Sequence, residues 1–240
     1  MKRVLVAAVA LGVAALAFAG PPYLTDDPVP TDLGHWEIYA FTAGEELQSS
    51  IDDGTGLDLN YGALRGVQLT ATLPVSFASE TGYRWQPGTS DIELGVKYRL
   101  LNDPKHGVSA AVFPRVILPT STLATGERAR LLLPIWVGKD FADGTSLFGG
   151  GGYELNPGQG NRDFWHAGAA VTHDVSEHVS LGAEITQQSP DAIGHTSQTR
   201  AGVGGIVKLG GPSSLLFSAG PAWADHHTGY HVYAALGLNF

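Results

Sequence analysis

The sequence predicts an all-β protein: a closed antiparallel transmembrane β-barrel of about twelve strands, with an N-terminal signal peptide. Three observations predict it. Residues Tyr230 to Phe240 alternate strictly, with Val232, Ala234, Leu236, Leu238 and Phe240 on one face and His231, Tyr233, Ala235, Gly237 and Asn239 on the other. Thr89 to Leu100 repeats the pattern: Ile92, Leu94, Val96, Tyr98 and Leu100 oppose Asp91, Glu93, Gly95, Lys97 and Arg99. On a helix both sets would scatter around the axis; on a strand they separate. Third, the chain begins with Lys2-Arg3, an uncharged apolar run from Val4 to Phe18, and the small-x-small signature Ala17-Phe18-Ala19.

Residues 1–19 are therefore read as a secretory signal peptide, too short and alanine-rich for a comfortable spanning helix. An uncleaved anchor is the alternative. No later segment is long and apolar enough for a spanning helix, so any membrane crossing is made by strands. Residues 20–34 carry Pro21, Pro22, Pro28 and Pro30 around an acidic Thr25-Asp26-Asp27 and have no strand periodicity. They are expected to form an extended periplasmic arm, with a short lumenal plug as the alternative.

The barrel occupies residues 35–240. Its strands are placed near 35–44, 54–62, 65–77, 89–101, 107–118, 128–139, 145–155, 162–174, 178–188, 198–209, 213–222 and 229–240. Long connections should alternate with short ones, as outer loops alternate with periplasmic turns. Residues 78–90, 119–127, 156–161, 189–197 and 223–228 are the long set. Residues 63–64, 102–106, 140–144, 175–177 and 210–212 are the short set. This phase puts the C-terminus on the short-turn side. Alternating apolar residues before a terminal Phe240 resemble the assembly signal of bacterial outer-membrane barrels, which makes the outer-membrane bilayer and its assembly machinery the expected partners. The last strand should close the sheet against residues 35–44. A secreted soluble sandwich or lipocalin-like barrel stays open, because alternation alone does not say which face is inside. Aromatics near strand ends (Trp36, Tyr98, Trp165, Tyr230) favour the bilayer through interfacial girdles.

Composition excludes several classes. Removing the leader takes two of 14 cations and leaves twelve against 23 carboxylates, a net charge of about −11. No basic footprint for nucleic acid is present. The absence of cysteine rules out disulfides, thiol catalysis and thiolate metal sites. Thirty-two glycines suit tight turns and close packing in a barrel.

Tyr23-Leu24-Thr25-Asp26-Asp27-Pro28, followed by Gly34-His35-Trp36-Glu37-Ile38-Tyr39, resembles the mature N-terminus of the MetA-pathway of phenol degradation outer-membrane protein family. Pro114-Arg115 with Pro119-Thr120 is similar to a strand-to-loop stretch of that group. The resemblance spans residues 20–240. It implies an outer-membrane barrel with a transport role for small, aromatic or apolar compounds. It carries over no catalytic residue.

With apolar faces toward lipid, Asp91, Glu93, Lys97 and Arg99 face the lumen, joined by Arg115 by parity with Ser109 and Ala111. Glu184, Arg200 and Lys208 form a second inward set. These eight residues are either a charged constriction that selects solutes or an ion-pair network that fills the lumen; the network is the simpler reading. Trp136, Phe148 and Phe164 are candidates to pack the interior, and the glycines at 149–152, 202, 204 and 205 to widen it. His226-His227 with Asp225 supplies too few ligands for a metal site, and no cofactor signature occurs. His173, Asp174, Ser176 and His178 cluster in sequence, but no Gly-x-Ser-x-Gly motif or oxyanion site accompanies them, so no enzyme is expected. The expected function is a passive outer-membrane channel or transporter for a small solute; the alternative is a closed, non-conducting barrel whose loops bind partners.

Overall fold

The computed structural model describes residues 22–47, 50–80, 86–122 and 128–240. The expected signal peptide lies outside them. The described chain contains no helix and forms fourteen strand segments. In chain order these are β1 (Trp36–Leu47), β2 (Ser50–Leu64), β3 (Val67–Glu80), β4 (Gln86–Thr89), β5 (Ile92–Asp103), β6 (Val108–Val112), β7 (Arg115–Leu118), β8 (Arg130–Asp140), β9 (Thr145–Leu155), β10 (Phe164–Ser176), β11 (Val179–Gln188), β12 (Gln198–Gly210), β13 (Ser213–Ala224) and β14 (His227–Asn239). β6 and β7 are halves of one strand, interrupted at Phe113-Pro114 because Pro114 has no N–H for the ladder. β4 pairs only with the end of β3. The wall is thus a closed antiparallel barrel of twelve strands.

Closure occurs where the terminal alternation placed it. β14 pairs antiparallel with β1 from Glu37↔Asn239 to Glu46↔Tyr230. Trp36 and Phe240 exchange backbone hydrogen bonds of 2.7 and 3.0 Å beyond the ladder. One finding departs from expectation at each of the first and last hairpins. β1 and β2 continue to Leu47 and Ser50, well past residues 44 and 54. At the other end Trp223 pairs with Thr228 and Ala224 with His227, leaving a two-residue turn where a longer loop was expected. Asp225 and His226 both adopt left-handed φ values, 45° and 65°, the twist a tight hairpin needs. Asp and His tolerate that region better than most side chains, but without glycine the turn left no obvious mark in the sequence. Between these hairpins the long and short connections alternate as expected, except that residues 78–80 and 86–89 of the first long connection extend the ladder as the end of β3 and as β4; Gly66, Gly107, Gly144, Gly210 and Gly211 supply left-handed φ at short turns.

The faces are inverted relative to a soluble barrel. Ile185 and Val203 are 56% and 67% exposed, while Lys97 on the opposite face is 2% exposed. Leu94, Val96, Ile135, Val137, Leu181, Leu215, Val232 and Leu236 continue the outward apolar band around the wall. A contiguous patch of this kind is stable only against hydrocarbon. Exposed aromatics border it at both ends. Trp36 stacks beside Tyr61 at 4.7 Å near the short turns, and Trp165 beside Tyr153 at 4.8 Å near the long loops. The barrel therefore spans a bilayer.

Residues 22–34 do not hang outside the wall as an extended arm. They enter the barrel from the short-turn end, where Leu33 makes a parallel bridge to Gly62, and run into the middle of the lumen. Thr25, Pro30 and Thr31 are among the most completely buried side chains of the described protein. The physical reason is space: a twelve-strand barrel is wider than its own inward side chains fill, and this segment takes up part of the difference.

Candidate functional site in the barrel lumen

The inward faces of the strands and the N-terminal segment together form the site. Parity alone sends Asp58, Asn60, Gln68, Thr70, Lys97, Arg115, Glu184, Arg200 and His231 inward. Three groups of contacts hold the segment. Nearest the short turns, the Gln68 amide oxygen accepts from the Thr31 backbone N–H at 2.8 Å and its hydroxyl at 3.0 Å. Gln68 in turn donates to Asn60 at 2.7 Å and to Thr70 at 3.0 Å, so its orientation is fixed. Deeper in, the Lys97 ammonium pairs with Asp26 at 2.9 Å and donates to the Asp27 carbonyl at 3.0 Å. At the far end Glu184 accepts three donors: the Leu24 N–H at 3.1 Å, and the Thr25 N–H and hydroxyl at 3.0 Å each. Tyr23 packs on Phe148 and Ala170. Burial, with the Glu184 carboxylate adding to it, pushes the Tyr23 phenol up to about 12, so it stays neutral.

Glycines make room for this segment. A side chain at Gly168 would place its Cβ 2.3 Å from the Thr25 hydroxyl, and one at Gly138 would sit 2.9 Å from Pro28. One at Gly182 would sit 2.6 Å from the Tyr23 oxygen. These inward-facing glycines were not singled out in the sequence. The runs that were, at 149–152 and 202–205, mainly bring neighbouring strand backbones close; a Cβ at Gly150 would lie 2.0 Å from the Ile135 carbonyl oxygen.

The lumenal residues expected from the sequence divide into distinct groups. Arg115 pairs with Glu93 at 2.8 Å and stands 4.0 Å from Asp26, and both Arg115 and Lys97 lie over the Phe113 ring. Asp91 meets Arg130 at 3.3 Å; Arg130 also holds Glu154 at 2.9 Å, and neither of those partners was anticipated. Arg99 lies apart, at the bulge of β5 beside Gly66, with its Nε without a hydrogen bond. Glu184, Arg200 and Lys208 do not form one cluster. Glu184 binds the segment, and Arg200 forms a bidentate pair with Glu45, one contact at 2.8 Å. Lys208 is eight residues from Arg200 along β12, about 26 Å at strand rise, and lines a different chamber. Trp136, Phe148 and Phe164 are buried inward as packing residues.

The segment divides the lumen. Toward the long loops lies a chamber of about 590 Å³ lined by Tyr39, Phe41, Asp58, Phe113, Arg115 and Tyr233 among others. Toward the short turns lies one of about 420 Å³ lined by Asp140, Phe141, Phe148, Asp174 and Lys208. Pro22 and Tyr23 line both.

Other sequence candidates do not assemble. The His173 ring contacts the Thr145 hydroxyl at 2.9 Å, Asp174 accepts from Ser180, and the Ser176 hydroxyl accepts from the His178 backbone N–H at 3.3 Å. Among the described residues no group of three His, Asp or Glu side chains is placed to hold a metal ion.

No family model matches the chain, and no curated protein matches it by sequence. Solved structures do match its fold. It is similar to the COG4313 outer membrane channel from Pseudomonas putida F1 with a TM-score of 0.73 and 13% identity, covering 89% of this chain and 98% of that one. The KdgM porin aligns with a TM-score of 0.59 and 10% identity over 84% of this chain and 99% of its own. The translocator domain of the autotransporter NalP from Neisseria meningitidis aligns at 0.53 and 14% identity, over 85% and 88%. The chain thus has the fold of outer-membrane β-barrels, a fold shared by channels and by translocator domains.

Proposed function

We propose that the protein is an outer-membrane channel for small aromatic or apolar compounds, closed at rest by its own residues 22–34. The observation that carries this is the division of one continuous lumen into two chambers by a segment bound through a few polar contacts. A barrel that served only as a wall would not need a lumenal chamber of about 590 Å³. The ring faces of Tyr39, Phe41, Phe113 and Tyr233 in that chamber support an aromatic or apolar solute. So does the resemblance of residues 23–28 and 34–39 to the MetA-pathway family. The terminal strand ending at Phe240 supports recognition by the outer-membrane assembly machinery.

The test is single-channel recording in planar bilayers, on the unaltered chain and on a variant lacking residues 22–32. The expected result is low or intermittent conductance in the first and a larger, steady conductance in the second. A folded deletion variant that conducts no better removes the proposal. That outcome would support the second reading, a closed barrel, which has the Arg130–Glu154–Asp91 and Arg115–Glu93 pairs along its lumenal wall in its favour.

A further inference from the structure

The larger chamber carries an excess of negative charge and an orphaned imidazole that the docking of residues 22–34 leaves unused. Four lumenal carboxylates line it, Asp26, Glu45, Asp58 and Glu93, with Asp53 at its edge. Its cations are already engaged: Lys97 with Asp26, Arg115 with Glu93, and Arg200, just behind the lining, with Glu45. Asp58 has no cation partner among the described residues. Its oxygens accept only neutral donors, the Asn60 amide at 3.2 Å and the Thr72 hydroxyl at 3.0 Å. A carboxylate in a chamber is stabilised above all by a counter-charge in contact with it, and Asp58 has only the more distant Arg115, which is already paired with Glu93.

The second observation is independent of charge. His231 lines the same chamber and is 6% exposed, yet neither of its ring nitrogens has a hydrogen-bond partner. Buried polar groups without partners are rare in folded proteins, and one on the wall of a cavity can take a donor from a ligand once the ring turns toward it. The third is the surroundings of Asp58. It stands directly opposite Tyr39 in the β1–β2 ladder and lines the chamber with Tyr233, whose ring lies parallel to Phe41 at 6.2 Å and 16°. Ring faces beside a carboxylate attract an organic cation more than either does alone.

We infer that the chamber binds a small amphiphilic organic cation: a compound with one positive charge, at least one N–H to give His231, and an aromatic or short apolar body against Tyr39, Phe41 and Tyr233. An anion finds no spare cationic side chain among the described lining residues, and a neutral compound leaves Asp58 without an ion pair. A cavity of about 590 Å³ accommodates such a molecule. The inference deepens the channel reading and rests on it for the route by which the ligand arrives.

The test is calorimetric titration of the full chain in lipid nanodiscs, with empty nanodiscs as the blank. The three probes are phenethylammonium, 2-phenylethanol and phenylacetate, of closely similar shape and different charge. The expected result is saturable one-site binding of phenethylammonium at least tenfold tighter than 2-phenylethanol, with phenylacetate weakest. Asp58→Asn should shrink the amine's advantage below threefold without changing the affinity for the alcohol, and His231→Phe should weaken the amine. Retention of heat-modifiable mobility on gels confirms that each variant is folded. An amine that binds no tighter than the alcohol to the unaltered chain overturns the inference, and that comparison stands even if Asp58→Asn does not fold. A tenfold preference that survives in folded Asp58→Asn overturns it equally. Cation-selective binding without flux would remove the channel and keep this site; flux with no cation preference would do the reverse.

Discussion

Replacing Glu184 by alanine should release the deep end of the lumenal segment. Its carboxylate is buried and accepts three donors from the segment, two backbone N–H groups and one hydroxyl, at 3.0–3.1 Å. A hydrogen bond to a charged acceptor is worth roughly 1.5–3 kcal/mol, and three that share one carboxylate do not add fully. Water from the adjoining chamber will reach some of the freed donors, which lowers the loss further. A net loss of about 3 kcal/mol of docking free energy follows, equivalent to about a hundredfold shift in the docked-to-released ratio. Hydrogen–deuterium exchange in nanodiscs reads this directly. The amides of Leu24 and Thr25 should exchange about a hundredfold faster in Glu184→Ala, by the same conversion, while those of Ala183 and Ile185 in the wall stay protected by their ladders. Glu184→Gln, which keeps one acceptor oxygen, should fall between. If Leu24 and Thr25 exchange at the unaltered rate in Glu184→Ala, the carboxylate does not hold the segment and the latch argument is refuted.

Lys97→Met removes the Asp26 pair and the bond to the Asp27 carbonyl; the expected cost to docking is about 3 kcal/mol, the low end for a buried pair because Arg115 stands 4.0 Å from Asp26. Protease cleavage within residues 22–34 in the folded barrel should rise accordingly, and unchanged cleavage would discount the pair. Gly168→Val should expel Thr25 sterically, since a Cβ would lie 2.3 Å from its hydroxyl; conductance should rise while the urea midpoint of the barrel holds. Trp136→Ala, at a side chain 1% exposed, should lower barrel stability in vesicles by about 3 kcal/mol, measured by urea titration; a shift under about 1 kcal/mol would show that the lumen wall tolerates the void. Deleting Phe240 removes both bonds to Trp36 at the closing seam, and the yield of folded barrel in outer membranes should fall severalfold, with normal yield counting against a terminal assembly signal.

The wall was legible because a strand in a bilayer has a rule with period two and no exceptions inside the hydrocarbon. Every second residue from Leu94 to Leu100 had to be apolar, so the parity of Lys97 and Arg115 followed without knowing the partners. The lengths of the first and last hairpins were not legible for the opposite reason. Beyond the hydrocarbon, Glu45, Glu46 and Asp53 can pair in a ladder as readily as they can form a loop, and their polarity does not distinguish the two. Partners were harder still. Glu184, Arg200 and Lys208 share a face, but strand rise spreads them along the barrel, and Arg200 found Glu45 on a strand 155 residues away in sequence.

The position of residues 22–34 shows where period-two reading stops and a different signal begins. A segment with four prolines at 21–30 has no face to read, so its own sequence could only announce an absence of strand. The information lay on the wall instead. Glycines at inward positions 138, 168 and 182 interrupt strands where a closed lumen would otherwise favour bulk, and each missing side chain is filled by Pro28, Thr25 or Tyr23. Glycine in a strand interior is destabilising by itself, so three of them on the inner face require something that packs against them. The same logic sets a limit on the segment's grip. Its closest hydrogen bonds to the wall end in Gln68, Lys97 and Glu184, each fixed to a different strand, so release at one leaves the other two intact. Opening should therefore begin at Glu184, the attachment farthest from the point where the chain enters the lumen, and the larger chamber should widen before the smaller one does.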